Sequence, residues 1–462
     1  MGNNLKKKYG LLTAMAMVIG IVIGSGVFFK AEKVLVATGG NLPLGILAWC
    51  IGGAIMVICA YTFAVMATRY EKVNGIVDYA EVTCGKTYAY FVGWFMTTIY
   101  YPCLTGILAW VSARYVGVLF NLSITGGEVM VIAGFFLIAS YAMNALSPII
   151  AGKFQVSTTI IKLVPLLLMA VVGTIVGLIN GLTIENFTTV VDPSKSTGGG
   201  LMMAVVATAF AYEGWIIATS INSELKDSKK NLPIALVLGT FIIMLVYILY
   251  YVGLSGAVTN AELMAGGETG AKIAFTAIFG KVGGTILMFF VVISCLGTLN
   301  GLMLGCTRGM YSIAVRNRGP RPEIFKVVDK TTDMPSNSSI VGLLLCGVWL
   351  LYFYGANLTP KSWFGPFTFD NSELPIVTIY LFFIPIFVKM IMKEKNLGKF
   401  NRFVMPSLSI VASITMIIAS IIAHKWANLF YFIVFLVIMG IGWFFRKEKT
   451  PQEELSEKQE NK

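Results

Sequence analysis

The sequence predicts an all-α polytopic membrane protein with about 12 transmembrane helices, and three observations lead to this fold class. Hydrophobic residues make up 56% of the 462 residues and charged residues only 13%, whereas a soluble globular chain carries roughly 25% charged residues. The mean hydropathy is +0.78. Uncharged apolar runs of the roughly 20 residues that cross a bilayer recur along the whole chain. They lack the alternating pattern of barrel strands, so we predict helices.

Twelve membrane spans can be placed in order along the chain. They are predicted near 11–37, 43–69, 87–119, 129–146, 156–180, 201–224, 233–258, 281–315, 339–356, 373–391, 404–423 and 427–445. Several of these runs are longer than a bilayer needs, which indicates tilt or extension into water. The polar segments 72–86 and 259–280 are predicted as short surface helices or ordinary loops. The charged tail 451–462 is predicted to be disordered and cytoplasmic.

The basic residues orient the chain in the membrane. The net charge is +12, but Lys and Arg lie in the short connections between apolar runs, which excludes a nucleic-acid-binding surface. One alternating set of connections holds about three times as many Lys and Arg as the other set. The positive-inside rule therefore predicts a multi-pass protein of the plasma (inner) membrane with both termini in the cytoplasm. The lipid bilayer is its expected surrounding.

Cysteine and histidine usage argues against an enzyme. The seven cysteines lie mostly within apolar runs and include no CxxC pair, so neither a disulfide framework nor a metal site is indicated. The single histidine, His424, cannot form a metal site or a Ser-His relay by itself. We therefore expect no metal, no cofactor and no catalytic residues.

A glycine-rich stretch interrupts the first predicted span. Gly20, Gly24 and Gly26 lie close together with Ser25 between the last two, and each glycine costs about 1 kcal/mol relative to alanine inside a helix. One interpretation is close helix packing through Gly20 and Gly24. The other is a broken helix whose second half starts at Ser25. Its free N–H groups and positive dipole end would then hold a carboxylate in mid-membrane.

A second interruption is predicted in the sixth span, in the segment 210–215 (Phe-Ala-Tyr-Glu-Gly-Trp). Glu213 lies deep in an apolar run, where a charge costs about 2.5–3.5 kcal/mol on insertion scales and usually faces a cavity or a partner. Gly214 beside it weakens the helix. The alternatives are a packing kink, with Glu213 hydrogen-bonded to a neighbouring helix, and a second break that faces the first.

The positions of the two interruptions match. They fall in spans one and six, so the chain can be divided into two tandem five-helix units. Because five is odd, the second unit inserts with the opposite orientation. Many secondary transporters have this inverted repeat and bind substrate where their broken helices meet.

Lys162 is a third candidate, in the otherwise uncharged fifth span. The sequence places it about one turn into the predicted helix, so it could snorkel to the cytoplasmic interface. Alternatively, its ammonium group occupies a cation position and binds backbone carbonyls at the first break.

Three segments resemble the amino acid–polyamine–organocation (APC) superfamily, and in particular its L-type amino acid transporter (LAT) family and bacterial small neutral amino acid exchangers. They are 23–28 (Ile-Gly-Ser-Gly-Val-Phe), 210–215 and 222–235. The resemblance covers spans one to eight and weakens beyond Thr332. It implies one transmembrane transporter domain over 1–450, with inverted repeats at 11–180 and 201–391 and two extra helices at 404–445.

The resemblance also implies a substrate site at the two breaks. The implied site residues are Val22, Ile23, Gly24, Ser25, Gly26 and Val27 around the backbone end of the amino acid, and Phe210, Ala211, Glu213, Gly214 and Trp215 across from them. Phe210 would be a gate over the substrate. Lys162 matches a lysine that stands where sodium-coupled relatives bind a cation, which implies sodium-independent transport.

The chain departs from the family pattern at three places. Asn74-Gly75 stands where relatives often have two glycines, and Glu213 stands where many L-type members have glycine. The connection 120–128 has no cysteine, although animal members use one there to bind a glycoprotein subunit. We therefore expect no disulfide-linked glycoprotein partner.

The sequence therefore predicts a secondary active transporter that works by alternating access. The expected activity is sodium-independent exchange or uptake of small neutral L-amino acids such as alanine, serine, threonine and cysteine. One alternative is a proton-coupled or cationic amino acid/polyamine carrier with Glu213 as the counter-ion. A membrane amino acid receptor on the same fold is an alternative from another class.

Overall fold

The computed structural model describes residues 10–448 except 71–74, 218, 220–224 and 333. Within these residues, 11 helices are long and apolar enough to cross a membrane, and a bent pair near the N-terminus brings the number of spans to 12. The predicted all-α polytopic fold is confirmed. The predicted disordered tail at 451–462 and Asn74 lie outside the described residues.

The first span consists of helix α1 (Leu11–Val22) and helix α2 (Gly26–Ala37), separated by a break. Spans 2 to 12 follow in order as Leu42–Arg69, Lys86–Phe120, Gly127–Leu146, Ile150–Ile179, Gly198–Ile217, Ser228–Ala257, Gly270–Ala314, Ser336–Leu358, Leu374–Lys393, Phe400–His424 and Trp426–Phe444. Helix α3 (Gly198–Tyr212) is the regular part of span 6. Shorter helices include Ile76–Cys84, Leu182–Thr188, Asn260–Gly266 and Pro322–Phe325.

The segment 259–280 forms helices separate from the eighth membrane crossing. Thr259 and Glu262 form a capping box at the start of Asn260–Gly266, and the hydrogen bonds from Thr259 hold the pKa of the Glu262 carboxyl below its usual value. The backbone at Gly280 is left-handed (φ 69°), which interrupts the helix that follows. The eighth span therefore starts after Gly280, as predicted.

One predicted span needs correction. The fifth was expected at 156–180, but its helix begins at Pro148, because the polar segment before 156 continues the helix instead of ending it. The sixth was expected over 201–224 with an interruption at 210–215, and its regular helix ends at Tyr212; residues 218 and 220–224 of this span lie outside the described residues.

The spans pack as two groups. Spans 1, 2, 6 and 7 contact one another extensively, and spans 3, 4, 8 and 9 form a second group. In the first group, Trp49 of span 2 packs against Tyr212, Tyr247 and Tyr251 of spans 6 and 7. The Tyr212 hydroxyl donates a 3.0 Å hydrogen bond to the Trp49 carbonyl. Span 5 contacts spans 7 and 8, so it bridges the two groups.

Glycines allow spans 5 and 7 to approach backbone to backbone. A Cβ added at Gly173 would collide with the Gly253 carbonyl, and one at Gly177 would collide with the Gly256 backbone. Gly173 and Gly177 have the spacing of a small-xxx-small motif, which permits close packing of helices in a membrane. This contact fixes span 5 against the first group of helices.

We expect Gly177→Leu to destabilise the protein, because the new side chain would have to displace the backbone of span 7. Overpacking of this kind costs about 1–3 kcal/mol or more. The measurement is thermal unfolding in detergent, followed by fluorescence size-exclusion chromatography. Gly134→Leu is the matched control, since no atom lies within 4 Å of a Cβ added there. Equal melting temperatures for the two variants would contradict the close contact.

Candidate functional site: a cavity between two broken helices

The first span breaks at Ile23–Ser25. Helix α1 ends with a 2.8 Å hydrogen bond from the Ile23 N–H to the Ile19 carbonyl, and the backbone then turns to an extended conformation (ψ 108°). Helix α2 begins at Gly26, one residue later than predicted. The break is therefore present where the glycine-rich stretch indicated it.

The break frees carbonyl groups at the end of α1, and side chains from other spans bind them. Lys162 donates a 2.5 Å hydrogen bond from Nζ to the Gly20 carbonyl and a 3.1 Å bond to Oγ1 of Thr298. The Thr298 hydroxyl in turn donates to the Ile23 carbonyl at 3.4 Å. Lys162 is fully buried and lies about four turns into its helix. The prediction that it lies about one turn into the helix was therefore wrong.

The other side of the break, the start of α2, has no side-chain cap. The first N–H groups of a helix have no partner within the helix, and the side chain at the N-cap position, Ser25, makes no capping hydrogen bond to them. Ser25 is fully buried, and within the described residues its hydroxyl makes no hydrogen bond to an oxygen or nitrogen. Its polar neighbour is the thiol of Cys295. This end of the break can bind an anionic group.

The second break follows α3. Glu213 is extended (ψ 160°), Gly214 is left-handed (φ 106°), and a short turn with a 3.0 Å hydrogen bond from the Ile217 N–H to the Gly214 carbonyl comes next. Only glycine adopts this φ without strain. A Cβ added at Gly214 would lie 3.0 Å from Cγ2 of Ile21. The second break therefore packs directly on the first span.

The two breaks also touch at Gly26. A Cβ added at Gly26 would collide with the backbone of Ala211 in α3. The C-terminal end of α3 and the N-terminal end of α2 consequently lie side by side. These ends carry opposite partial charges, since a helix dipole is positive at its N-terminus and negative at its C-terminus.

A cavity of about 360 Å³ lies between the breaks and two further spans. Its lining residues are Ile21, Val22, Gly24, Ser25, Gly26, Leu104, Leu108, Phe210, Glu213, Gly214, Thr298 and Leu302. Its walls combine backbone and polar groups at the two breaks with leucines of spans 3 and 8.

Glu213 supplies the carboxylate of this cavity. The Tyr100 hydroxyl in span 3 donates a hydrogen bond to one carboxylate oxygen of Glu213, and the residue is 9% exposed. In the part of the chain that the structure describes, no Lys, Arg or His forms an ion pair with Glu213. The carboxylate can therefore interact with a ligand or carry a proton.

An ion pair lies behind Phe210. Lys30 of α2 is fully buried, and its Nζ lies 5.2 Å from the centroid of the Phe210 ring. The same ammonium group is 2.5 Å from Oε1 of Glu373 and 3.2 Å from Oγ of Ser372, both just before span 10. His424 lies 3.0 Å from the other carboxylate oxygen. Of these residues only Phe210 lines the cavity.

The sequence-predicted site residues divide into two sets. Val22, Gly24, Ser25, Gly26, Phe210, Glu213 and Gly214 line the cavity. The second set lies behind it: Ile23 contributes its carbonyl to Thr298, Ala211 packs on Gly26, Val27 is a buried core residue, and Trp215 packs on Phe63 and Phe383. The substrate-binding role of these residues remains a prediction.

Sequence reasoning missed the contributions of spans 3 and 8. Leu104, Leu108 and Leu302 carried no signal, because a cavity leucine looks the same as a lipid-facing one in an apolar run. Thr298 did carry one, since it lies in an unusually polar segment, Gly-Thr-Leu-Asn-Gly at 297–301. Lys30 carried no site prediction, although it lies fully buried inside the protein.

Comparison with known proteins supports this architecture. The serine/threonine exchanger SteT of Bacillus subtilis (strain 168) is 29% identical over 406 residues, covering 87% of this chain and 87% of SteT. The b(0,+)-type amino acid transporter 1 of Rattus norvegicus is 24% identical over 462 residues, covering 96% and 88%.

A solved structure and a family model also match this chain. The crystal structure of MhsT in complex with L-phenylalanine matches 91% of this chain and 100% of that chain with a TM-score of 0.56, at 16% identity, which shows a shared fold. The family model described as amino acid permease matches residues 9–442. The chain therefore belongs to the amino acid permease family, in the APC superfamily.

Proposed function

We propose that the protein is a sodium-independent transporter that exchanges or takes up small neutral L-amino acids across the plasma membrane by alternating access. The observation that carries this proposal is the cavity between two broken helices, where the start of α2 adjoins the end of α3. Membership of the amino acid permease family and the similarity to a serine/threonine exchanger support it.

The two helix ends match the backbone of an amino acid. The start of α2 offers N–H groups and a positive dipole end to the α-carboxylate, with Ser25 beside them. The last carbonyl groups of α3 have no partner within the helix and carry the negative dipole end, which suits the α-ammonium group. One carbon separates the two charges of an amino acid, and the contact between Gly26 and Ala211 brings the two helix ends side by side.

The remaining walls favour a small uncharged side chain. Leu104, Leu108 and Leu302 are apolar, so they offer no partner to a charged side chain and enclose the space beyond the backbone of the ligand. Alanine, serine, threonine and cysteine fit these limits. Thr298 offers a hydroxyl to the polar members of this group.

Lys162 carries the argument for sodium independence. Its ammonium group occupies the carbonyl end of the first break, bonded to Gly20 and Thr298. A tethered cation at this position provides the positive charge that a sodium ion would otherwise bring. A dissociable cation is then not needed to complete the site.

The proposal also covers the orientation of the protein in the membrane and its need for a partner subunit. The excess of Lys and Arg in one set of connections supports a cytoplasmic location of both termini, and in this orientation the pair Lys30–Glu373 lies toward the outside. We also propose that transport needs no disulfide-linked glycoprotein subunit, because the connection 120–128 has no cysteine.

Glu213 supports a second candidate function. It is a cavity-lining carboxylate bonded to Tyr100, with no ion-pair partner among the described residues. A cationic amino acid or a polyamine could place its side-chain charge there, and a proton could neutralise the carboxylate during a proton-coupled cycle. Uptake and competition assays distinguish this cationic or proton-coupled carrier from a transporter of neutral amino acids.

The first test is uptake by proteoliposomes with a panel of radiolabelled substrates. We expect uptake of alanine or serine that internal amino acid stimulates, with poor competition by amino-acid amides and esters because they lack the carboxylate. Arginine and putrescine should compete weakly, and Glu213→Gln should retain at least half of the neutral uptake. Strong arginine or polyamine uptake that Glu213→Gln abolishes would establish the second candidate, and binding without any uptake would indicate a receptor.

A second test concerns the contact between the two breaks. Gly26→Val should reduce transport at least about tenfold, because a side chain there meets the Ala211 backbone and blocks the approach of a carboxylate to α2. The measurement is initial uptake rate per inserted protein. Gly347→Val is the control, since a Cβ added at Gly347 meets no atom within 4 Å. Normal substrate binding by Gly26→Val would mean that the stretch serves packing only.

A third test separates the charge of Lys162 from sodium coupling. Replacement of sodium by choline should leave wild-type uptake unchanged. Lys162→Ala should lower the turnover number at least about tenfold, because the buried carbonyl of Gly20 loses a charged donor, and such bonds contribute about 1.5–3 kcal/mol. Substrate affinity, measured by equilibrium binding, should change less. A strict sodium requirement in the wild type would disprove the substitution by lysine.

A further inference from the structure

Three amide side chains form a hydrogen-bonded chain inside the membrane domain. They are Asn144 in span 4, Gln155 in span 5 and Asn300 in span 8. Asn144 and Asn300 are 1% and 3% exposed. None of the three lines the cavity, so binding of a ligand there does not explain why these polar side chains are present.

The chain runs from span 4 to the first break. Asn144 donates from Nδ2 to Oδ1 of Asn300 at 2.9 Å, and Asn300 donates from Nδ2 to the Ala151 carbonyl at 3.1 Å and to Oε1 of Gln155 at 3.4 Å. Gln155 then donates from Nε2 to the Gly20 carbonyl at 3.4 Å. The last acceptor is the same carbonyl that Lys162 binds.

The two bonds of the Gln155 amide are the weak links of this chain. Each is 3.4 Å long, well beyond the usual 2.9–3.0 Å, whereas the Asn144–Asn300 bond at 2.9 Å is normal. Asn300 is held by the bond from Asn144 and by its own 3.1 Å bond to the Ala151 carbonyl, so its amide stays beside Gln155 when the Gly20 bond is lost. Gln155 therefore has a fixed position to which α1 can return.

We propose that Gln155 is a positioning residue that docks the cytoplasmic half of span 1, helix α1, in the inward-closed state. This inference rests on the proposed function, since a transporter must close and open that half. Spans 4 and 8 belong to the second group and span 1 to the first, so the amide chain adds a connection between the two groups to the one that Thr298 makes at the break.

Lys162 and Gln155 both donate to the Gly20 carbonyl, but one donor is charged and the other is neutral. They lie about two helical turns apart on one face of span 5, and the Thr159 side chain between them fills the space against Gly20. Lys162 supplies a short charged bond that ties α1 to span 5, and its second bond goes to Thr298 of span 8. Gln155 supplies a neutral bond that links α1, through Asn300, to the second group of spans. Loss of the neutral bond should shift the balance between closed and open states without removing the charge.

The test compares Gln155→Met with the wild type in right-side-out and inside-out membrane vesicles. The loss of one neutral hydrogen bond changes an equilibrium constant by about three- to tenfold. We expect the ratio of outside KM to inside KM to rise by this factor, because the inward-open state is more populated. In purified protein, hydrogen–deuterium exchange of the 11–22 backbone amides should also rise, while exchange of 42–69 stays unchanged.

Two further variants make the result decisive. Gln155→Asn keeps the amide but shortens the side chain by one methylene, so it should lose the Gly20 bond and reproduce the effect if Gln155→Met folds poorly. Asn428→Leu is the control, a half-buried amide that links spans 11 and 12 through Ser420. It should leave the KM ratio unchanged.

The outcomes separate this inference from the proposed function. If the wild type takes up none of the amino acids, the proposed function fails, and the exchange of 11–22 still tests the docking of α1. Unchanged exchange there, or a fall in turnover with an unchanged KM ratio, overturns the role of Gln155.

Discussion

An interrupted helix inside a membrane must have its freed backbone groups satisfied without bulk water, and this constraint organises the protein. The carbonyls at the end of α1 are bound by Lys162, by Thr298 and by the Tyr247 hydroxyl, which donates to the Val22 carbonyl at 3.1 Å. These donors come from spans 5, 8 and 7. A buried carbonyl without a donor costs about 1–3 kcal/mol, so the break fixes three spans around itself.

The two sides of the first break differ in how their backbone groups are hydrogen-bonded, and the proposed function depends on this difference. Protein side chains occupy the carbonyl side, whereas Ser25 at the start of α2 makes no capping hydrogen bond. Gly26 allows α3 to lie against that start, and Gly214 allows the second break to lie on Ile21. Larger residues at either glycine would separate the helix ends. A ligand that carries both charges of an amino acid can then complete the site from within the cavity.

The breaks could be predicted from sequence because they violate local rules: glycines cluster in an apolar helix, and Glu213 is an unneutralised charge in another. The leucine walls could not be predicted, since apolar side chains in spans 3 and 8 serve lipid, core and cavity equally well. The Lys30–Glu373 pair joins residues far apart in the chain, so its partners have no local pattern. The helix start at Pro148 was missed because the polar residues before 156 resemble a connection.

The charged contacts at the two ends of the cavity differ in what opening would do to them. Lys30 and Glu373 are stabilised by each other while buried, and removal of one partner of such a pair costs about 3–5 kcal/mol. When water enters between α2 and span 10, hydration replaces the pair, so both states satisfy both charges. Lys162 differs from this pair, because its acceptor is the Gly20 backbone carbonyl at the end of α1 and not a carboxylate. Opening at the inner end therefore requires α1 to leave a tethered lysine, which makes additional neutral contacts such as Gln155–Gly20 the adjustable part of that closure.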